Sequence, residues 1–333
     1  LIDEDVMRAH KYADLKDILK CIGPYLEQVD VVIKSKLETG IGLLDEGSWH
    51  TFRKSGKKIR ASLIILSSGL KNSIPDDIVD IASAAEIIHA ASLVHDDIID
   101  KSDMRRGQAT VTKKYGSKVA VLVGDFMYTR ALEMAVSNNR MDLFPIMVDA
   151  TLNMVKGELY QIEYSNIDNI SMKHYFEIIE MKTARFMGAC AKLGGVLSGM
   201  DEPELDLMFK SGLNLGYAFQ IIDDTIDYVD NTISGKDTGN DFINGKITLP
   251  LLHLIDVVDS KDARLIRDYT REPDKEKWEY VIKRVNETDT IDYCVGVAKE
   301  YITKAVDYID RFPESECKKA MKDLAIFLLA RNF

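Results

Sequence analysis

Residues 76–100 read DDIVDIASAAEIIHAASLVHDDIID, a stretch free of proline and glycine whose apolar side chains give way at the end to three carboxylates. Ile78, Ile81, Ala82, Ala85, Ile88 and Leu93 recur at near-helical spacing among many alanines, so the segment predicts a long, mostly buried helix. Asp76-Asp77 after Pro75 suits its start, and Gly107 with its polar neighbours suits a loop beyond it. Asp96, Asp97 and Asp100 stand at i, i+1 and i+4, which places them on one helix face. Flanked by Leu93, Val94, Ile98 and Ile99, these carboxylates repel one another unless something positive lies between them.

The same spacing returns at Asp223, Asp224 and Asp227, flanked by Phe219, Ile221, Ile222 and Ile226. Two such sets on facing helices supply hard oxygen ligands, which suit Mg²⁺ ions that also bind substrate phosphates. The competing reading of one triplet alone is an exposed acidic helix end, in a chain with 54 acidic residues. The apolar flanks and the arginines that follow, Arg105 and Arg106, argue against it.

Prolines at 24, 75, 145, 203, 250, 273 and 313 leave long intervals that favour long helices. Segments 118–138, 146–164, 172–199 and 204–230 read like 76–100, and alternating β-branched runs between tight turns are lacking. The expected architecture is all-α, with residues 1–333 as a single domain. Asn231 to Gly245, with glycines at 235, 239 and 245, should break the helix that carries the second triplet.

With 333 residues, 46% of them hydrophobic, the chain can bury a large core. A net charge of −11 argues against sequence-independent nucleic-acid binding, which needs a basic stripe. Cys21, Cys190, Cys294 and Cys317 are widely spaced and are expected to be reduced thiols. No secretory leader is recognisable, and no stretch approaches the ~20 uninterrupted apolar residues of a membrane span, so a cytoplasmic location is expected.

Local basic clusters must therefore bind any phosphate. Ser55-Gly56-Lys57-Lys58-Ile59-Arg60 precedes the apolar run Leu63–Leu66, and Lys57 and Arg60 can reach one anion from the first turn of a helix. Arg105 and Arg106 offer guanidinium forks close to the first triplet. Lys182, Lys236 and Lys246 read alone as ordinary solvated lysines, but with two acidic triplets they make a site with charge for two phosphorylated substrates.

Taken in order, these blocks resemble the trans-isoprenyl diphosphate synthases. The likeness spans about residues 50–255: Gly56-Lys57-Lys58-Ile59-Arg60; the first triplet with Arg105-Arg106-Gly107; Gly124-Asp125-Phe126; Lys182-Thr183-Ala184; and Phe219-Gln220 through the second triplet to Lys236 and Lys246. Ser55 and Ala61 stand where the family usually has glycine and proline, and neither change removes a charge.

The resemblance implies a bundle of long antiparallel helices around a central cavity. It also implies Mg²⁺-dependent head-to-tail condensation of isopentenyl diphosphate with an allylic diphosphate, farnesyl or geranylgeranyl diphosphate, and a homodimeric enzyme. By it, Asp96, Asp100 and Asp223 hold several Mg²⁺ ions bridging the allylic diphosphate, supported by Asp97, Asp224 and Asp227. Arg105, Lys182 and Lys236 contact the leaving group, and Gln220 and the Thr183 carbonyl face the cation. Lys57, Arg60, His89 and Arg106 hold isopentenyl diphosphate, and Lys246 is a further substrate contact.

A product growing back along the first helix would pass Ser92, Ala91 and Ile88 at about 5.4 Å per turn. No aromatic blocks that path, and a deeper floor could come from Phe126, Met127, Leu132 or Met134 on a facing helix. A long-chain all-trans polyprenyl diphosphate is thus expected over a twenty-carbon geranylgeranyl product. A metal phosphohydrolase of the HD type, using His89 and His95-Asp96, leaves the second triplet unexplained. A terpene cyclase usually replaces acids of its second motif with Asn and Ser or Thr, and a silent partner subunit would not keep every charged motif.

Overall fold

Helices fill the intervals between prolines. The structure, a computed structural model, describes residues 14–53, 56–71, 74–137, 140–229 and 238–330. After two short turns come α1 (Gly23–Leu37), α2 (Gly42–Phe52), α3 (Ile59–Ser68) and α4 (Ile78–Ile99). They are followed by α5 (Ser117–Ser137), α6 (Phe144–Glu163) and α7 (Met172–Ile179). A π-helical turn, Glu180–Ala184, joins α7 to α8 (Arg185–Leu197), and α9 (Glu202–Ile226) comes next. The chain continues through α10 (Leu249–Val257), α11 (Ser260–Arg271), α12 (Lys275–Asn286), α13 (Thr290–Ile309) and α14 (Glu316–Ala330). The all-α expectation holds. Among the described residues the only sheet is the hairpin of β1 (Met104–Arg105) and β2 (Gln108–Ala109), turned by Arg106 and Gly107 at φ 53° and 68°.

The helix expected over 172–199 is interrupted by the π turn, which carries Lys182 and Thr183. It is gripped from two sides. A Cβ on Gly157 of α6 would lie 2.9 Å from the Lys182 backbone nitrogen, and one on Gly216 of α9 would lie 2.4 Å from Ala184 Cα. Only glycine lets both helices approach so closely. The helix expected over 204–230 ends at Ile226, after starting from an Asp201–Glu204 capping box.

One hydrophobic cluster runs from Leu19 to Leu329. α4 lies within it, packed on α1, α3 and α5, and Ile81, Ala84, Ala85, Ile88 and Ala91 are fully buried. By length and composition α4 could cross a membrane, but 72% of its apolar window is buried inside the protein, as befits a core helix. α9 packs between α8 and α13. This arrangement brings the C-terminal ends of α4 and α9, each bearing a triplet, to one cavity. All four cysteines are free thiols.

Candidate active site

A cavity of about 1350 Å³ opens between the carboxyl ends of α4 and α9. Asp96, Asp97 and Asp100 line it from α4, and Asp223 and Asp224 from α9. Within each triplet the roles divide by burial. Asp97 is 5% exposed and accepts a hydrogen bond from Arg105 Nε at 2.7 Å, so the hairpin arginine is tied to the triplet. Asp224, equally buried, accepts from the Tyr175 hydroxyl at 2.7 Å and from Gln220 Nε2 at 2.8 Å. Asp227 lies off the cavity wall and accepts the backbone N–H of Asp241 at 2.8 Å. Asp96, Asp100 and Asp223 line the cavity beside them, with Asp100 bonded by Lys246.

The electrostatics follow from crowding. Burial pushes the Asp96 carboxyl up to about 6, with Lys182 opposing and Glu158 reinforcing the rise. Burial likewise raises Asp97, Asp227 and, far more, Asp224. Asp241, raised to about 6 by burial and then by Asp227, adds a further acid that the sequence reading missed. Its signal was present, an acid within the glycine-rich break after the second triplet. Lys246 bonds Asp100 at 2.8 Å; burial opposes its charge, yet Asp100 and Asp241 hold it above its ordinary value.

Lys182, placed by the π turn, bonds Gln161 Oε1 at 2.8 Å and pairs with Glu158, both from α6. Neither partner was anticipated. Thr183 donates its hydroxyl to Gln220 Oε1 at 2.8 Å, so Gln220 links the π turn to Asp224 and its amide oxygen is already engaged. Lys236 lies outside the described residues.

The same cavity is also lined by cations. Arg60, at the buried start of α3, has its guanidinium 5.7 Å over the Phe186 ring and a buried Nε with no protein partner. Arg106 approaches Gly56 so closely that a Cβ there would meet its Nη1 at 3.0 Å. His89 lies among Arg60, Arg106 and Arg105, and burial first, then these cations, hold its imidazole well below the usual range and therefore neutral. Lys57, over the Phe327 ring of α14, completes the group. All five line the cavity. His95 turns instead toward α5, with Nε2 3.3 Å from the Val121 carbonyl oxygen, its ring filling the notch at Gly124, where a Cβ would lie 2.2 Å from Nε2.

Of the residues expected to bear on product length, Ser92 lines the cavity, whereas Ala91 and Ile88 are fully buried behind its wall. Tyr128 of α5 and Met154 of α6 line it as well, and sequence reasoning did not single them out. Phe126, Met127, Leu132 and Met134 do not.

The polyprenyl synthetase family profile matches residues 42–285. An octaprenyl diphosphate synthase from Haemophilus influenzae is 34% identical over 98% of this chain and 100% of its own. The crystal structure of a polyprenyl synthase from Caulobacter crescentus, complexed with calcium and isoprenyl diphosphate, superposes with a TM-score of 0.91 at 30% identity, covering 96% of this chain and 98% of that one. A geranylgeranyl pyrophosphate synthetase from Pyrococcus horikoshii superposes at 0.88 with 28% identity, covering 95% and 99%. With the motifs, the helical fold and this likeness along nearly its whole length, the chain belongs to the polyprenyl synthetase family.

Proposed function

We propose that this protein is a Mg²⁺-dependent trans-prenyltransferase that joins isopentenyl diphosphate head-to-tail to an allylic diphosphate and builds a long-chain all-trans polyprenyl diphosphate. One observation carries the reading: a single cavity is lined both by the acids Asp96, Asp100, Asp223 and Asp241 and by the cations Lys57, Arg60 and Arg106. Two diphosphates can then be held differently, one through cations shared with carboxylates and one by direct ion pairing.

The donor set fits Mg²⁺. Among the described residues, no three His, Cys, Asp or Glu side chains converge into a ready-made metal cage. Mg²⁺ typically takes one or two carboxylates and completes its octahedron with waters and substrate phosphates. Asp96 and Asp100 on α4 and Asp223 on α9 fit that pattern, and burial, which raises the Asp96 and Asp241 carboxyls, makes their ionised forms costly until a cation binds. Bound there, the ions would neutralise the allylic diphosphate and let it leave. The Caulobacter crescentus relative, complexed with calcium and isoprenyl diphosphate, supports a divalent ion at this site.

Lys182, steered by Glu158 and Gln161, reaches the same leaving group from the π turn. The Thr183 carbonyl presents a neutral oxygen dipole beside it, which stabilises a developing allylic cation without capturing it, and Gln220, bonded to Thr183 and Asp224, holds the turn against α9. Lys57, Arg60, neutral His89 and Arg106, lining the same cavity, hold isopentenyl diphosphate so that its double bond faces the cation. The octaprenyl diphosphate synthase relative favours a long product over a twenty-carbon one.

Leu122 of α5 and Leu152, Leu159 and Ile162 of α6 are between 51% and 65% exposed, and this apolar face supports association as a homodimer. A cytoplasmic enzyme formed of one domain is part of the same reading. Incubation with Mg²⁺, farnesyl diphosphate and labelled isopentenyl diphosphate tests it. Label must enter chain-extended diphosphates; phosphate release without extension would favour a hydrolase and defeat the proposal.

A further inference from the structure

None of the four cysteines lines the cavity, yet two of them meet. Cys21 belongs to the turn Lys20–Ile22, which leads into α1, and Cys317 to the first turn of α14. The two lie near opposite ends of the chain. Folding packs α14 against this turn and against α3, and the Cys317 thiol is hydrogen-bonded to Cys21.

Their surroundings differ. Cys317 is 9% exposed and lodged against Gly69, where an added Cβ would lie 2.3 Å from its Sγ. The start of its helix is fixed by Ser315, whose hydroxyl accepts the Lys318 N–H at 3.0 Å. Cys21 is only partly buried, so a small oxidant can reach it. The hydrogen bond from Cys317 lowers the Cys21 thiol despite burial, helped by the backbone N–H groups of Cys21 and Ile22, and the same bond raises Cys317. Cys21 is therefore the nucleophile and Cys317 the thiol that resolves it. Cys190 and Cys294 are buried, and burial raises both, which leaves them unreactive.

We propose that Cys21 and Cys317 form a redox-modification site at which hydrogen peroxide makes a disulfide that staples the turn Lys20–Ile22 to α14. The Cys21 thiolate attacks one peroxide oxygen, the O–O bond breaks, and the departing hydroxide takes up a proton to become water. The sulfenic acid left on Cys21 is then attacked by the Cys317 sulfur; the S–O bond breaks and the hydroxyl leaves as water with the Cys317 proton. Two thiols and one peroxide thus give one disulfide and two waters. The bond closes a loop spanning most of the chain, which restricts the unfolded state, and it fastens the helix whose Phe327 ring lies under Lys57. Thiol reductants reverse it. Because neither residue lines the cavity, this chemistry is independent of the synthase reading.

The test treats the reduced full chain with a small excess of hydrogen peroxide, alkylates the remaining thiols under denaturing conditions and maps the peptides by mass spectrometry. Cys21 and Cys317 appear as one linked peptide within a single molecule, while Cys190 and Cys294 are alkylated. Tm rises by about 5 °C on oxidation and returns with dithiothreitol. Cys21→Ser abolishes both the linkage and the Tm shift, and in Cys317→Ser oxidation stops at a Cys21 sulfenic acid that dimedone traps. Four alkylated cysteines in the oxidised wild type, earlier oxidation of Cys190 or Cys294, a linkage between two molecules, or an unchanged Tm overturns the proposal. So does a Tm shift that persists in Cys21→Ser. The wild type and Cys21→Ser decide the matter even if Cys317→Ser fails to fold.

Discussion

Asp96→Asn should make the ligand-free protein more stable while removing its activity. The Asp96 carboxyl is raised from 3.8 to about 6, chiefly by burial. That difference of roughly 2.2 units corresponds to about 3 kcal/mol at ~1.36 kcal/mol per unit. The folded protein binds this proton more tightly than the unfolded chain, so the group's favourable contribution is fully present below pH 3.8 and is lost as pH rises through 6. At pH 7.5 the ionised carboxylate therefore destabilises the fold, and a neutral amide of the same shape relieves the penalty. The gap shrinks to about 1 kcal/mol at pH 4.5, where the folded carboxyl is largely protonated. Lys182 keeps its Glu158 partner in the variant, so no new unpaired cation offsets the gain. For a chain of 333 residues, with an unfolding entropy of about 0.7 kcal/mol/K, 3 kcal/mol is a rise in Tm of ~4 °C. Denaturation without Mg²⁺ at both pH values measures it. A variant no more stable than wild type at pH 7.5 would refute the desolvation argument.

Further expectations concern metal, geometry and packing. As pH falls through about 6, protonation of Asp96 and Asp241 should raise the Mg²⁺ concentration needed for half-maximal activity; a requirement flat between pH 8 and 5.5 would contradict the role given to these acids. Tyr175→Phe removes the hydroxyl that bonds Asp224, and should lower kcat/KM about tenfold with an intact fold by circular dichroism; unaltered kinetics would mean that Asp224 needs no orienting. Gly216→Ala places a methyl 2.4 Å from Ala184 Cα, forcing α9 off the π turn at a cost of about 1–3 kcal/mol by urea denaturation. Retention of wild-type stability would contradict that close approach.

Much of this site was legible because its chemistry is written in short segments. The α4 pattern from Ile78 to Ile99 has no competing period, and its apolar flanks marked Asp96 and Asp100 as buried carboxylates. The basic blocks at 57–60 and 105–106 both line the cavity, each lying near a helix end. What escaped was decided between helices. Glu158, Gln161 and Tyr175 read as ordinary polar positions until α6, α7 and the π turn converge. The π turn leaves no periodicity signal, since it inserts a single residue into a helical pattern; only Gly157 and Gly216, far away in sequence, record the crowding around it. Helical spacing along α4 puts Ser92, Ala91 and Ile88 in line, but that only Ser92 of the three borders the cavity depends on how the neighbouring helices pack, which no spacing records.

The central claim, repeated condensation at a cavity lined by both acids and cations, is tested most directly by counting diphosphate released against isopentenyl units incorporated while the products are sized. With Mg²⁺, farnesyl diphosphate and excess isopentenyl diphosphate, one diphosphate should appear per isoprene unit added, and the chain should pass twenty carbons before release. Diphosphate release without incorporation, or a product that stops at twenty carbons however much isopentenyl diphosphate is supplied, would contradict it.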